Sequence, residues 1–127
     1  KTMEHRTFSD AEFRFGDHGP GYLIRGPRTD AGIVRLTPGT DASNHYHKDL
    51  EETFYVIRGK ATMWINCEDR YELVAGDVYQ AAPGEMHYFI NHSDEVFEAI
   101  FVKAPYDPAD GVQVPWLEGE PKPEREG

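Results

Sequence analysis

Short runs of β-forming residues alternate with turn-forming residues along most of this chain, and this rhythm constrains the fold more than any other feature. The breaks carry glycine, proline, asparagine and aspartate, and no segment of ten residues has the apolar spacing of an amphipathic helix. The runs cover residues 22–25, 32–37, 52–58, 61–66, 71–74, 77–81, 87–91 and 96–102. Regularly spaced short strands with such breaks predict an all-β sandwich or barrel.

The 127 residues are enough for one domain with a single core, which we expect to span residues 22–104. Residues 1–21 form a polar N-terminal extension before it. Within that extension Phe13 and Phe15 alternate with charged residues and predict a short strand.

The composition changes after the predicted barrel, because residues 105–127 form a proline-rich, charged C-terminal tail. Its end, residues 121–127, is predicted to be disordered. Trp116 would be costly if it were exposed to water. We therefore expect residues 114–117 to lie on the barrel or on a partner subunit.

A formal net charge of −10 argues against nucleic acid as a partner, because binding to phosphates depends on clustered Lys and Arg. The same charge disfavours an anionic membrane surface, and no run approaches the ~20 apolar residues of a membrane span. The sequence therefore predicts neither nucleic acid nor a membrane surface as a partner.

Cys67 is the only cysteine, so the chain can form no internal disulfide. It lies among Asn and acidic residues at 66–69, a stretch that predicts a hairpin tip. Nothing basic nearby would activate the thiol, and we interpret it as incidental. A single free cysteine fits a reducing cytoplasm.

Four side chains that can bind metals occur in and beside the predicted strands: His45, His47, Glu52 and His87. Residues i and i+2 of a strand share one face, so His45 and His47 point together, about 7 Å apart at their Cα atoms. Glu52 shares a face with apolar Phe54. An ionised carboxylate in such a place costs several kcal/mol unless it is paired or binds a metal.

The spacing of these residues forms two motifs. The first is Gly39-x5-His45-x-His47-x4-Glu52-x6-Gly59, and the second is Gly76-x5-Ala82-Pro83-Gly84-x2-His87-x3-Asn91. Together they resemble the two conserved motifs of the cupin family. The second motif departs once, because Ala82 stands where the family has a proline. Glu51 is also acidic, but only Glu52 stands six residues before Gly59.

The resemblance implies a single cupin barrel, a double-stranded β-helix or jelly roll of the RmlC-like type. It also implies that His45, His47, Glu52 and His87 hold one divalent transition metal, with Fe, Mn, Zn, Ni and Cu all open. An octahedral ion held by four ligands retains two positions for a substrate or dioxygen. Two alternatives remain: a metal-free cupin in which a histidine acts as a base in sugar epimerisation, and a His-x-His pair that only decorates the surface.

A substrate pocket is expected beside the metal. Its candidate residues are Phe54, Met63, Tyr79, Gln80 and Phe89. Tyr79 and Gln80 lie on opposite faces of one strand, so only one of them can face the interior. Lys103 and Arg35 could pair with an anionic substrate but are expected on the exterior.

Three functions fit this sequence. The first is a metal-dependent enzyme of the oxygenase, isomerase or lyase type, acting on a sugar, sugar acid or keto-acid, with Glu52 as a possible catalytic base. The second is a non-catalytic small-molecule-binding or sensor protein. The third is a storage or structural barrel. The lean toward carbohydrate metabolism rests on the cupin resemblance. The expected homodimer rests on that resemblance and on the flanking segments 1–30 and 105–117, which exceed what one minimal barrel needs.

Overall fold

The computed structural model describes residues 3–124 and confirms the all-β prediction. The described residues form ten strands: β1 (Gly19–Arg25), β2 (Asp30–Leu36), β3 (Asp41–His47), β4 (Glu51–Arg58), β5 (Lys60–Ile65), β6 (Asp69–Val74), β7 (Val78–Ala81), β8 (His87–Ile90), β9 (Phe97–Ala104) and β10 (Gly111–Gln113). The only helix among these residues is one 3-10 turn, Phe8–Asp10, and none is long and apolar enough to cross a membrane. The predicted runs of β-forming residues did not include β3 or β10.

The strands form two five-stranded antiparallel sheets. The first has the order β1-β2-β9-β4-β7, and the second has the order β10-β3-β8-β5-β6. Sequence neighbours often lie in different sheets, as β3 and β4 do, so the chain crosses repeatedly between them. This is the jelly-roll arrangement that the sequence predicted.

The inward face of the first sheet is ordered into cross-strand rows. The deeper rows are apolar and lie in the main core: Phe101 with Phe54, Val34 with Ala99 and Val56, and Leu36 with Phe97. The row at one end of the barrel is instead charged and consists of Asp30, Lys103 and Glu52. A polar row at only one end marks the barrel mouth.

The N-terminal extension contributes less regular structure than expected. Phe13 forms a single isolated β-bridge with Gly16 and no strand. The barrel itself begins at Gly19, where β1 starts to pair with β2.

The segment after β9 packs onto the barrel. β10 pairs with β3 in the register Gly111 to His47 and Gln113 to His45. Beyond it Trp116 is only 6% exposed and packs edge-on against Trp64 and Tyr88 of the second sheet, with both ring centroids 5.6 Å away. Of the predicted disordered end, residues 125–127 lie outside the described residues.

The hairpin between β5 and β6 turns at Asn66 and Cys67, which have φ of 54° and 57°. Two successive positive φ angles are typical of the type I′ turn of tight hairpins. Cys67 is 9% exposed, and burial raises the pKa of its thiol above the ordinary value. The thiol therefore lacks the accessibility and the acidity of a nucleophile.

The second motif forms a type II turn whose central residues are Pro83 and Gly84. Gly84 has φ of 85°, which favours glycine at this position. Because residue 82 is alanine, its backbone N–H is present and donates to Oε1 of Glu85 at 2.7 Å. The departure from the family proline thus adds a hydrogen bond to the turn.

Asp110 fixes the three-residue loop 48–50 that joins β3 to β4. Its buried carboxylate accepts hydrogen bonds from the backbone N–H groups of Lys48 at 3.0 Å, Asp49 at 2.9 Å and Leu50 at 2.9 Å. Burial alone would raise the pKa of Asp110, but these N–H donors outweigh it and hold the pKa below its ordinary value of 3.8.

We predict that Asp110→Asn lowers the free energy of unfolding at pH 7 by about 1–3 kcal/mol, because an amide has no charge and only one acceptor oxygen in place of the two that bind these N–H groups. A lowered folded-state pKa gives stability that is present above the unfolded value and lost as the pH falls. The difference in free energy of unfolding between wild type and Asp110→Asn should therefore shrink below about pH 3.8. Urea unfolding at pH 7 and pH 3 measures it. Asp94→Asn, at an exposed position, is the control and should change little at either pH.

Candidate metal centre

The four predicted ligands meet at the barrel mouth. Their ligand atoms all lie within 4.8 Å of one another. His45 and His47 come from β3, Glu52 from β4 and His87 from the first position of β8. His45 and His87 are direct cross-strand partners, and Glu52 approaches them from the opposite sheet.

Glu52 is the centre of the cluster. Its Oε1 lies 3.2 Å from Nε2 of His47 and 3.1 Å from Nε2 of His87, and its side chain is 6% exposed. Burial would raise the pKa of Glu52, yet the contacts with the imidazoles of His47 and His87 outweigh it and lower the pKa well below the ordinary value. The carboxylate is therefore ionised at neutral pH and suited to bind a cation.

Backbone carbonyls orient two of the three imidazoles. Nδ1 of His45 lies 2.7 Å from the carbonyl oxygen of Ser43, and Nδ1 of His87 lies 3.2 Å from that of Glu85. A ring whose Nδ1–H donates to a carbonyl presents its Nε2 lone pair to a metal. Burial lowers the pKa of His45 to about 3, which keeps this ring in the neutral form that binds metals.

His87 supplies a direct test of whether the cluster fits a cation. Both of its ring nitrogens face oxygen acceptors, the Glu85 carbonyl and the Glu52 carboxylate. A neutral imidazole has one proton and cannot donate to both. A cation between Nε2 and Oε1 resolves this conflict without protonating the ring.

The spacing fits as well. Two donors that each lie about 2.1 Å from an ion, at right angles to each other, are about 3 Å apart. The two Nε2–Oε1 distances of 3.1 and 3.2 Å match that value. Three imidazole nitrogens and one carboxylate oxygen suit a divalent transition metal such as Fe, Zn, Ni or Cu. The cluster is thus able to hold a metal ion.

A cavity of about 260 Å³ opens beside the cluster. Among the predicted pocket residues, Phe54 and Phe89 line it together with all four candidate ligands. Their rings pack edge-on, with centroids 4.8 Å apart, and form an apolar floor.

The other three predicted pocket residues lie elsewhere. Met63 is 3% exposed and belongs to the main core. Tyr79 packs beside Tyr71 at the edge of that core. Gln80 faces outward and donates a hydrogen bond to the hydroxyl of Thr53. None of the three lines the cavity. Tyr79 and Gln80 lie on β7, an edge strand on the far side of β4 from β9, and Met63 lies on β5 within the core.

Lys103 was expected on the exterior, and this expectation was wrong, because its side chain lines the cavity. Its neighbours at i−2 and i−4 on β9 are Phe101 and Ala99, both buried. Strand parity could have revealed this, since alternate residues share a face. Arg35 does lie apart from the cavity lining and forms an ion pair with Glu98 at 2.7 Å.

Tyr22 and Asp30 also line the cavity, although the sequence analysis singled out neither. Asp30 reaches it through the pairing of β2 with the distant β9, and Tyr22 contacts Lys103 of β9 through its hydroxyl, which no local spacing encodes. The other three histidines, His5, His18 and His92, do not belong to the cluster. His18 contacts Asp17, and His92 contacts Glu118.

Solved structures share this fold. A Klebsiella pneumoniae protein with a double-stranded beta-helix domain is 22% identical, with a TM-score of 0.78 over 88% of this chain and 97% of that chain. KdgF from Halomonas sp. is 17% identical, with a TM-score of 0.71 over 85% of this chain and 96% of the other. The DMSP lyase DddQ from Ruegeria pomeroyi is 18% identical, with a TM-score of 0.68 over 87% of this chain and 60% of the other.

No curated protein matches the chain. The Cupin domain family model, however, matches residues 32–103, more than half of the chain and all four candidate ligands. With the two-sheet barrel and the His45, His47, Glu52 and His87 cluster, this match identifies the chain as a member of the cupin family.

Proposed function

We propose that this cupin is a metal-dependent enzyme that holds one divalent transition metal and acts on a small polar molecule of the sugar, sugar-acid or keto-acid class. The observation that carries the proposal is the pair of 3.1–3.2 Å contacts between Glu52 and two imidazoles beside a cavity. The cavity volume of about 260 Å³ suits a small organic molecule.

His45, His47, Glu52 and His87 would hold the ion, and the bound ion would polarise a carbonyl or carboxylate oxygen of the substrate. Glu52 contacts both imidazoles through Oε1 alone. Its Oε2 makes no hydrogen bond within residues 3–124, so this is the atom that could accept a substrate proton as a base. Phe54, Phe89 and the other apolar lining side chains restrict water around it.

Proton transfer of the isomerase or lyase type is the reaction class that we favour. It requires an ionised carboxylate and a polarised substrate, both of which this cavity can supply. One relative with this fold is a lyase by name, which supports the class but not the substrate. Oxygenase chemistry would need the same ligands and an additional open coordination position.

A homodimer completes the proposal. The outer face of the first sheet exposes Tyr55 at 48%, Val78 at 62% and Val102 at 38%. Exposed apolar side chains that cluster on one sheet face favour burial against a second copy.

The free, buried Cys67 supports a cytoplasmic location, where thiols stay reduced.

We predict that wild-type protein, purified without nickel affinity resin, binds about one equivalent of Zn²⁺ or Fe²⁺ and that His87→Ala loses it. Removal of Nε2 of His87 takes away one ligand and leaves Glu52 with a single imidazole contact. Elemental analysis measures the stoichiometry, and circular dichroism checks the fold. His92→Ala, an exposed histidine, should retain full occupancy. Full occupancy in His87→Ala would contradict the ligand assignment.

We predict that the metal-loaded protein converts at least one member of a panel of sugar acids and keto-acids, and that chelation abolishes turnover. Glu52→Gln should reduce kcat by 10²-fold or more if Oε2 is the base, on the order of other general bases. Proton NMR of the reaction mixture detects the product. Tight binding across the panel without any product would instead favour the non-catalytic sensor.

We predict that Tyr55→Glu dissociates the homodimer, because it places a charge in the exposed apolar patch of the first sheet. Analytical ultracentrifugation measures the mass, with Glu51→Gln as a control at an exposed position of the same strand. A monomeric wild type would exclude the dimer and leave the metal centre unaffected.

A further inference from the structure

Lys103 occupies an unusual place for a lysine, in the charged row at the barrel mouth between two acidic residues. Its register partner on β2 is Asp30, which is 3% exposed, and its partner on β4 is Glu52, which is 5% exposed. Its ammonium group nevertheless lies within 4.0 Å of no carboxylate oxygen in residues 3–124. It donates instead to the hydroxyl of Tyr22 at 2.6 Å.

Tyr22 holds this ammonium group in position. Nζ of Lys103 lies 5.0 Å from the centroid of the Tyr22 ring and 5.4 Å from that of Phe101. The guanidinium of Arg25 lies 4.0 Å from the same Tyr22 ring. Because the tyrosine oxygen accepts from Lys103, its own proton is free to be donated to a ligand. Two further protons of the ammonium group are free as well.

A purely structural role for Lys103 would be to neutralise the buried carboxylates of Asp30 and Glu52. The geometry opposes this, because direct ion pairing would bring Nζ within about 3 Å of an oxygen. Oδ1 of Asp30 has no hydrogen-bond partner among the described residues, and the cation within 4.0 Å of it is Arg25, whose Nε lies 3.8 Å away. A lysine that served only as a counter-ion would have satisfied that oxygen. Its contact with Tyr22 keeps it available for another anion.

The charge of the cavity leads to the same conclusion. Three basic side chains line it, Arg14, Arg25 and Lys103, and three acidic ones, Asp30, Glu52 and Asp107. These balance, so a divalent ion in the cluster would leave the cavity with two net positive charges. The chain as a whole has a net charge of −10, so this cavity would be a local site for anions.

We propose that Lys103 and the Tyr22 hydroxyl form an anion-binding subsite, and that the ligand of this cavity is a small hydroxylated carboxylate whose acid group contacts both. The inference rests on the proposed function, because it concerns the ligand of the same cavity. It specifies the acid, rather than the neutral sugar, within the proposed substrate class. Oδ1 of Asp30, which has no hydrogen-bond partner among the described residues and lies 3.8 Å from Nε of Arg25, supplies an acceptor for a ligand hydroxyl in the same wall.

Isothermal titration of gluconate, glycerate and their neutral counterparts sorbitol and glycerol tests this proposal. Each is titrated into zinc-loaded and into metal-free protein. Lys103→Met should weaken binding of the acids by ~10- to 100-fold, as for loss of a charged hydrogen bond. Tyr22→Phe should weaken it by ~2- to 10-fold. Lys60→Met removes the same charge at an exposed position and should leave the affinity unchanged.

Comparable affinity of the acids for wild type and Lys103→Met would overturn the proposal, as would equal affinity for the acids and the neutral alcohols. Absence of acid binding to wild type at 10 mM would also overturn it. Lys103→Arg, which keeps the charge, should retain binding and guards against a Lys103→Met variant that fails to fold. Zinc stoichiometry is measured on each sample. A wild type that binds acids through Lys103 but takes up no metal would contradict the proposed function and not this inference.

Discussion

The carboxylate of Glu52 is the constraint on which the arrangement of the barrel mouth depends. It projects from the first sheet and contacts two imidazoles of the second sheet through a single oxygen. An ionised carboxylate at 5% exposure costs several kcal/mol unless its partners are in place. The register of β3 and β8 in the second sheet is therefore fixed, because a slip of one residue would turn His47 and His87 out of the barrel.

The rest of the first sheet is organised around that position. The charged row of Asp30, Lys103 and Glu52 lies directly above the Phe101–Phe54 row, so polar and apolar layers are one rung apart. The apolar layers stabilise the barrel by burial, and the charged layer faces the cavity. A binding site can exist at this end because the core below it is complete without these polar residues.

The sequence predicted which four side chains cluster at the barrel mouth, because their positions depend on local rules. His45 and His47 share a face by strand alternation, and the Pro83-Gly84 turn delivers His87 to the start of β8. The residues that it did not predict depend on pairing across long separations. Lys103 reaches the cavity because β9 lies between β2 and β4, an order that only the assembled sheet defines. Lys103 shares a strand face with the apolar Phe101, and this alternation was a local indication that its side chain faces the interior. Its charge instead suggested an exterior position.

The C-terminal segment shows how such distant pairings support the site. Asp110 accepts hydrogen bonds from the backbone of loop 48–50. This loop joins β3, which ends at His47, to β4, whose second residue is Glu52. β10 then pairs with β3 along both histidines. A four-ligand cluster binds a cation strongly only when its donors are held in place beforehand, since ordering them on binding would cost conformational entropy. The segment that composition alone presents as a tail therefore supports the candidate metal centre, because it orders the loop between two of the candidate ligands.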